Sequence, residues 1–252
     1  MRGRADCRVT HSFRCVNDAE ATDGSGFLDA PPPGADLHRL FDKDIERLGF
    51  VLNLSRLWGH HPVLHGGLSA LLDEAADAAG LTSRQRAVLI TCCASALGDS
   101  YCSLAWGRRL AREAGADVAA RVLRGGDDQL DAVEQALAGW ARTMTRQPNS
   151  IEAKDLQPLR DAGYDDAQVF AITVFVALRL AFAFVNDALG ARPDAELLAI
   201  VPASVRDAVT FGRPAVRSRH GADAAVAGPR VPTAHYRQSR PGAKPSPRHN
   251  HR

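Results

Sequence analysis

Residues 81–110, LTSRQRAVLITCCASALGDSYCSLAWGRRL, form the segment in which residue type and spacing could support covalent chemistry. Gly98 interrupts a helical run there, and Asp99 has the short acceptor side chain that caps a new helix, so Cys102 falls at the third helical position. At that position free backbone N–H groups and the positive end of the helix dipole favour an anion, and a thiol so placed can ionise below its usual ~8.5. The nearby Asp99 carboxylate works against this, because a second negative charge beside it is disfavoured. Cys102 is therefore a candidate reactive thiol. A small buried residue next to a cap is the alternative reading of the same spacing.

Other groups invite chemistry less strongly. His61 and His65 stand at i, i+4 with His60 beside them, and imidazole is a common zinc ligand. No carboxylate or thiol accompanies them in sequence, and Pro62 marks a helix start, so no metal is expected; a histidine from this stretch could still line the Cys102 pocket. Arg179 lies inside the most apolar segment, residues 170–185, and must meet a carboxylate, a pocket or an interface. Asn186 and Asp187 at the end of that segment are either a local cap or part of the same cavity. Trp58, Trp106 and Trp140 fall on three different helices, which predicts a shared core.

The elements that position these residues read as helices throughout, and the expected class is all-α. Leu40, Ile45, Leu48 and Val51 recur at helical spacing after Asp36. Pro62 opens a helix with the stripe Leu64, Leu68, Leu71, Leu72 and Ala75, stopped by Gly80. Thr82 with Gln85 is a capping box for a helix over 83–97. The next runs over 100–113, a short one ends at Gly125 and Gly126, and a longer one carries Leu130, Val133, Leu137, Trp140 and Met144 before Pro148. Ser150 starts a helix to Ala162, Asp165 and Asp166 open the 170–185 segment, and a last helix over 194–209 is interrupted near Pro202. No alternating pattern of strand length and no fixed-period repeat is present.

Composition sets the outer limits. The 252 residues carry 31 Lys+Arg and 29 Asp+Glu, a net +2. Residues 213–252 hold nine of those cations against Asp223 alone, so this stretch carries +8 and the rest of the chain −6. With six prolines and few large aliphatic residues it lacks the apolar surface to offset ordering, and the predicted division is a disordered leader over 1–35, one helical domain over 36–212 and a disordered basic tail over 213–252. The tail has one aromatic, Tyr236, and no recognised module, so no specific nucleic-acid partner is expected. Residues 170–185 are shorter than the roughly 20 needed to span a bilayer and contain Arg179, so no membrane association is expected. The N-terminus has no apolar signal region, and Cys7, Cys15, Cys92, Cys93 and Cys102 follow no disulfide framework, which points to the cytoplasm.

The segment around Tyr101 and Cys102 resembles the carboxymuconolactone decarboxylase and alkylhydroperoxidase D superfamily, nearest to its peroxidase-related branch. The resemblance extends over 40–198 and includes NLSRLWGHHP (53–62), TRQPNSIEAKDLQPLRDAGYDDAQVFAI (145–172) and NDALGARPDAEL (186–197). It implies an all-helical fold, a homo-oligomer and, in redox members, a Cys-x-x-Cys pair that reduces peroxides with a Glu and a His. The family's peroxide-attacking cysteine matches Cys102. Its resolving cysteine matches Asp99, its Glu matches Ala87 and its His matches Trp106, so the motif is degenerate. Cys92 and Cys93 are alternative resolving thiols only if they leave the packing of their own helix.

The resemblance implies a thiol-dependent reductase of small hydroperoxides, with Cys102 attacking, Asp99 as cap and proton acceptor, and Tyr101 and Trp106 as pocket walls. Its partners would be a hydroperoxide or a small acid and an external thiol reductant, with no cofactor. Two other readings stay open: a non-redox decarboxylase- or isomerase-like enzyme using Asp99 for acid–base work, and a non-catalytic helical oligomer that binds a small ligand.

Overall fold

A computed structural model of the chain describes residues 26–216. They form eleven α-helices and, among the described residues, no strand: α1 Ala35–Leu48, α2 Asn53–Trp58, α3 Pro62–Ala78, α4 Ser83–Leu97, α5 Ser100–Ala114, α6 Ala116–Leu123, α7 Ala132–Arg146, α8 Gln157–Asp161, α9 Asp166–Ala188, α10 Ala195–Ile200 and α11 Ala203–Ala208. The class is all-α, as the periodicity predicts.

Helix starts follow the side chains available to satisfy free N–H groups. Gln85 N–H donates to Thr82 Oγ1 (3.2 Å) while Thr82 N–H donates to Gln85 Oε1 (2.9 Å), the reciprocal box expected for α4. Asp131 with Glu134 and Asp165 with Gln168 build the same box for α7 and α9. Helix α4 is the centre of the molecule: Ala87 to Ala94 are all buried, and α4 packs against α5, α7 and α9. A helix enclosed on all sides needs apolar or small residues around its whole circumference, which is why this stretch shows little amphipathic pattern. Trp58 and Trp140 lie in the core, whereas Trp106 is half-buried at its edge.

Four expectations need correction. The α3 stripe is rotated: Leu72, Ala75 and Ala76 are buried, but Leu64 and Leu71 are 59% and 52% exposed, because the side facing α9 and not the full apolar arc decides burial. The predicted helix over 150–162 is instead two 3-10 turns, Pro148–Ser150 and Ala153–Leu156, followed by α8. Pro158 has no N–H for a continuing helix and is tolerated only in a first turn. Helix α9 has 23 residues, so it is long and apolar enough by length and composition to cross a membrane; it packs one face into the core and keeps Arg179 buried there.

Last, the domain limits at 36 and 212 leave out packed residues. Phe27 N–H donates to Leu189 O (2.9 Å), Ser100 Oγ donates to Arg213 O (2.7 Å), Arg213 Nη2 donates to Asp187 O (3.1 Å), and Val216 N–H donates to Pro193 O (2.9 Å). Gly212 makes this docking possible: its φ is +74, and a Cβ there would sit 2.6 Å from Gly98 O. The rest of the predicted leader, with Cys7 and Cys15, and the tail beyond 216, with Tyr236, lie outside the described residues.

Candidate active site

Cys102 sits in the third position of α5, and its N–H donates to the Asp99 carboxylate (3.0 Å), so the capping expectation holds in detail. The residue is 3% exposed and lines a cavity of about 310 Å³ together with His65, Tyr101, Trp106, Arg179 and Phe182. Arg179 reaches in from α9. Its Nη2 donates to Cys102 Sγ at 3.6 Å, and its guanidinium lies over the rings of Phe182 (4.8 Å) and Trp106 (5.4 Å). Arg179 thus faces the pocket: among the described residues no carboxylate lies within 4.0 Å of it, and its Nε has no hydrogen-bond partner.

The sequence sets the helix end and the Asp99 charge against each other at Cys102, and burial adds to the side of Asp99. Burial drives the thiol well above its ordinary range, the Asp99 carboxylate adds to that, and Arg179 opposes it. Full burial removes water from the thiolate, which outweighs the partial charges of a helix terminus. Burial also raises Asp99, moderated by its hydrogen bonds to the Cys102 thiol and N–H. Its second oxygen has no other polar partner. Burial and Asp99 thus oppose ionisation of the thiol, and the Arg179 guanidinium against the sulfur favours it. Burial and the charge of Asp99 push Asp187 up to about 6, so the carboxylates near this helix end repel one another.

Tyr101 borders the cavity but is tied into the core. Its hydroxyl donates to Asp194 and accepts from Leu54 N–H (3.4 Å), and Asp194 also accepts from Asn53 N–H (2.7 Å). This joins α2 and α5 to the start of α10. Asn186 accepts from Trp58 Nε1 (2.9 Å), and Trp58 stacks on Phe182, against which His65 also packs. His65 therefore lines the cavity as expected for a histidine of that stretch, with its pKa lowered mainly by burial. His60 contacts Asp29 O (3.0 Å), and among the described residues no three His, Cys, Asp or Glu side chains gather as a metal site.

Ala87 and Asp99, which the resemblance aligns with a Glu and a resolving cysteine, are both buried. Cys93 borders a small void together with Cys102 and Arg179, but burial pushes its thiol up to about 11, and Cys92 higher. All three cysteines are free.

Solved structures resemble the fold. An uncharacterized peroxidase-related protein from Ralstonia eutropha JMP134, described as an alkylhydroperoxidase AhpD core, is 21% identical with a TM-score of 0.61 over 69% of this chain and 94% of its own. The fold is that of the alkylhydroperoxidase D core. An uncharacterized peroxidase-related protein from Silicibacter sp. TM1040 is 21% identical (TM-score 0.59; 69% and 94% covered). The debrominase Bmp8 is 17% identical (TM-score 0.57; 71% and 96% covered), so the alkylhydroperoxidase D fold also carries other chemistry. No family model and no curated protein sequence matches the chain.

Sequence reasoning missed part of the cavity wall. Phe182, Arg108, Arg109 and Arg112 border it with Cys102. Arg109 and Arg112 follow Cys102 by seven and ten residues, along the same side of α5 as Ala105 and Trp106, and that spacing was a readable signal.

Proposed function

We propose that this protein is a thiol-dependent peroxidase of the alkylhydroperoxidase D type, acting through Cys102. The observation that carries the reading is the Arg179 guanidinium 3.6 Å from Cys102 Sγ in the lining of a cavity, with the buried Asp99 carboxylate, one oxygen of it without a hydrogen-bond partner, capping the same helix start. A thiol that is costly to ionise needs a local proton acceptor and a local cation, and both are supplied. Asp99 takes the thiol proton as the sulfur attacks the terminal oxygen of the hydroperoxide. The O–O bond breaks, Cys102 becomes a sulfenic acid, and the departing alkoxide receives the proton and leaves as an alcohol. One external thiol condenses with the sulfenic acid, releasing water and forming a mixed disulfide; a second thiol restores Cys102 and leaves as the oxidised donor. No partner cysteine within the chain is required. Exposed Val63, Leu64, Leu71, Phe170 and Phe184 on α3 and α9 support assembly as a homo-oligomer.

The test is peroxide consumption by the purified full chain with dithiothreitol and tert-butyl hydroperoxide, with dimedone labelling of Cys102 followed by mass spectrometry. Activity and labelling should both vanish in Cys102→Ser. Peroxide loss that persists in that variant, or none in the parent, ends this reading. The raised Asp99 supports a second one, acid–base catalysis on a small acid without redox change; it requires Asp99→Asn to abolish turnover while Cys102→Ser spares it.

A further inference from the structure

We infer that the cavity above Cys102 takes a small organic hydroperoxide bearing a carboxylate at the end remote from its O–O bond. This rests on the peroxidase reading of that cavity and adds the substrate class. Cys102, Ala105, Trp106, Arg109 and Arg112 all border the cavity from α5. At 1.5 Å rise per residue Arg109 is about 10 Å along the axis from Cys102 and Arg112 about 15 Å, and side chains lean back toward the helix start, which shortens both. The wall thus runs from sulfur through indole to guanidinium. A substrate that presents its peroxide to Cys102 places its far end among the arginines.

Cations outnumber acids there. Arg47, Arg108, Arg109, Arg112 and Arg179 border the cavity against one acid, Asp44. Asp44 is already occupied, accepting Leu52 N–H (3.1 Å) and lying 3.5 Å from Arg47. Arg109 lies over the Trp106 ring (5.8 Å) and donates to Ser83 Oγ (2.8 Å), whose own hydroxyl donates to Glu113 (2.8 Å), so its link to an acid is indirect. Among the described residues, no carboxylate lies within 4.0 Å of the Arg108, Arg109 or Arg112 guanidinium. Independently, Arg179 is 8% exposed and its Nε is unpartnered. Leaving several cations together with too little counter-charge is unfavourable, so the arrangement is set for an anionic ligand. Between the charged ends the walls are apolar, with Trp106, Phe182, Leu48 and Leu72. A volume of about 310 Å³ is at the small end of ligand pockets, which fits a single ring or short chain. Guanidinium forks match a planar carboxylate, and the α5 N-terminus that could have held a phosphate is capped by Asp99.

The experiment compares cumene hydroperoxide carrying a para-carboxylate with its methyl ester, and measures binding of unreactive para-isopropylbenzoate by calorimetry. The carboxylate should exceed the ester at least about tenfold in kcat/KM, and the ratio should fall to within about threefold of one in Arg109→Gln/Arg112→Gln. Isopropylbenzoate binding should weaken about tenfold in the same variant and at high salt, with the helical circular dichroism unchanged. Equal rates for acid and ester, a ratio unchanged by the double substitution, or tighter binding of the matching aryl phosphate would each overturn the inference. If no hydroperoxide is consumed yet isopropylbenzoate binds in an arginine-dependent way, the peroxidase reading fails and the carboxylate site stands.

Discussion

Replacing Arg179 by Gln removes the cation held against the Cys102 sulfur while keeping a side chain of similar reach. At the observed 3.6 Å, a guanidinium and a thiolate interact by about 5 kcal/mol at an effective dielectric of 20. Water admitted in place of the charge recovers roughly half of that, leaving about 2.5 kcal/mol of lost thiolate stabilisation, or about 70-fold in rate at 1.36 kcal/mol per tenfold. The assay is iodoacetamide alkylation near neutral pH, read on the Cys102 peptide by mass spectrometry so that Cys92 and Cys93 do not contribute. Arg179→Gln should react about 70-fold more slowly and shift the pH profile of alkylation upward, while Arg179→Lys should recover much of the loss. The profile matters because a general loosening of the pocket would admit reagent faster without moving it upward. If Arg179→Gln alkylates within about threefold of the parent, with an unchanged profile and intact melting, the charge has no part in activating Cys102.

Asp99→Asn keeps a good N-cap but removes the charge that opposes the thiolate, so alkylation of Cys102 should accelerate while peroxide turnover slows for want of a proton acceptor; movement of both in the same direction contradicts the assigned role. Tyr101→Phe deprives buried Asp194 of a donor and should cost about 1–3 kcal/mol in chemical denaturation, and a smaller loss would show that the contact is dispensable. Asp187 and Asp194 are both pushed up to about 6, chiefly by burial, so the folded state holds protons that the unfolded chain releases. The stability linked to them is full below the ordinary carboxyl range and is lost as pH rises through about 6. The melting-temperature contribution of these groups should therefore fall between about pH 4 and about pH 6.5 and level off above that, and Asp187→Asn should flatten that fall.

Much of this was legible because it is local. Capping depends on residues three apart, so Thr82 with Gln85, and Asp99 with Cys102, could be read from spacing alone. Breakers act within a turn, so the ends at Gly98 and Pro148 were also visible. The helix expected over 150–162 is broken into two 3-10 turns and α8 because Pro158 fits only a first turn, and the α3 stripe departs from expectation because Leu64 and Leu71 are apolar without having a neighbour to cover them. Residues 26–34 and 213–216 looked too polar or proline-rich to order. They are held by backbone hydrogen bonds and by Arg213 over the Phe27 ring, contacts between parts of the chain remote in sequence.

The sequence by itself determined the helical class and the position of Cys102 at a capped helix start, because composition, periodicity and caps act over a few residues. The tertiary structure decided what that position means. Burial, a property of all the helices packed around Cys102, raises the thiol pKa against the pull of its own helix end. Arg179, 77 residues away in sequence, is brought to the sulfur, and α5 turns Arg109 and Arg112 toward the same cavity. Charges on separate helices meet only when the core between those helices has formed.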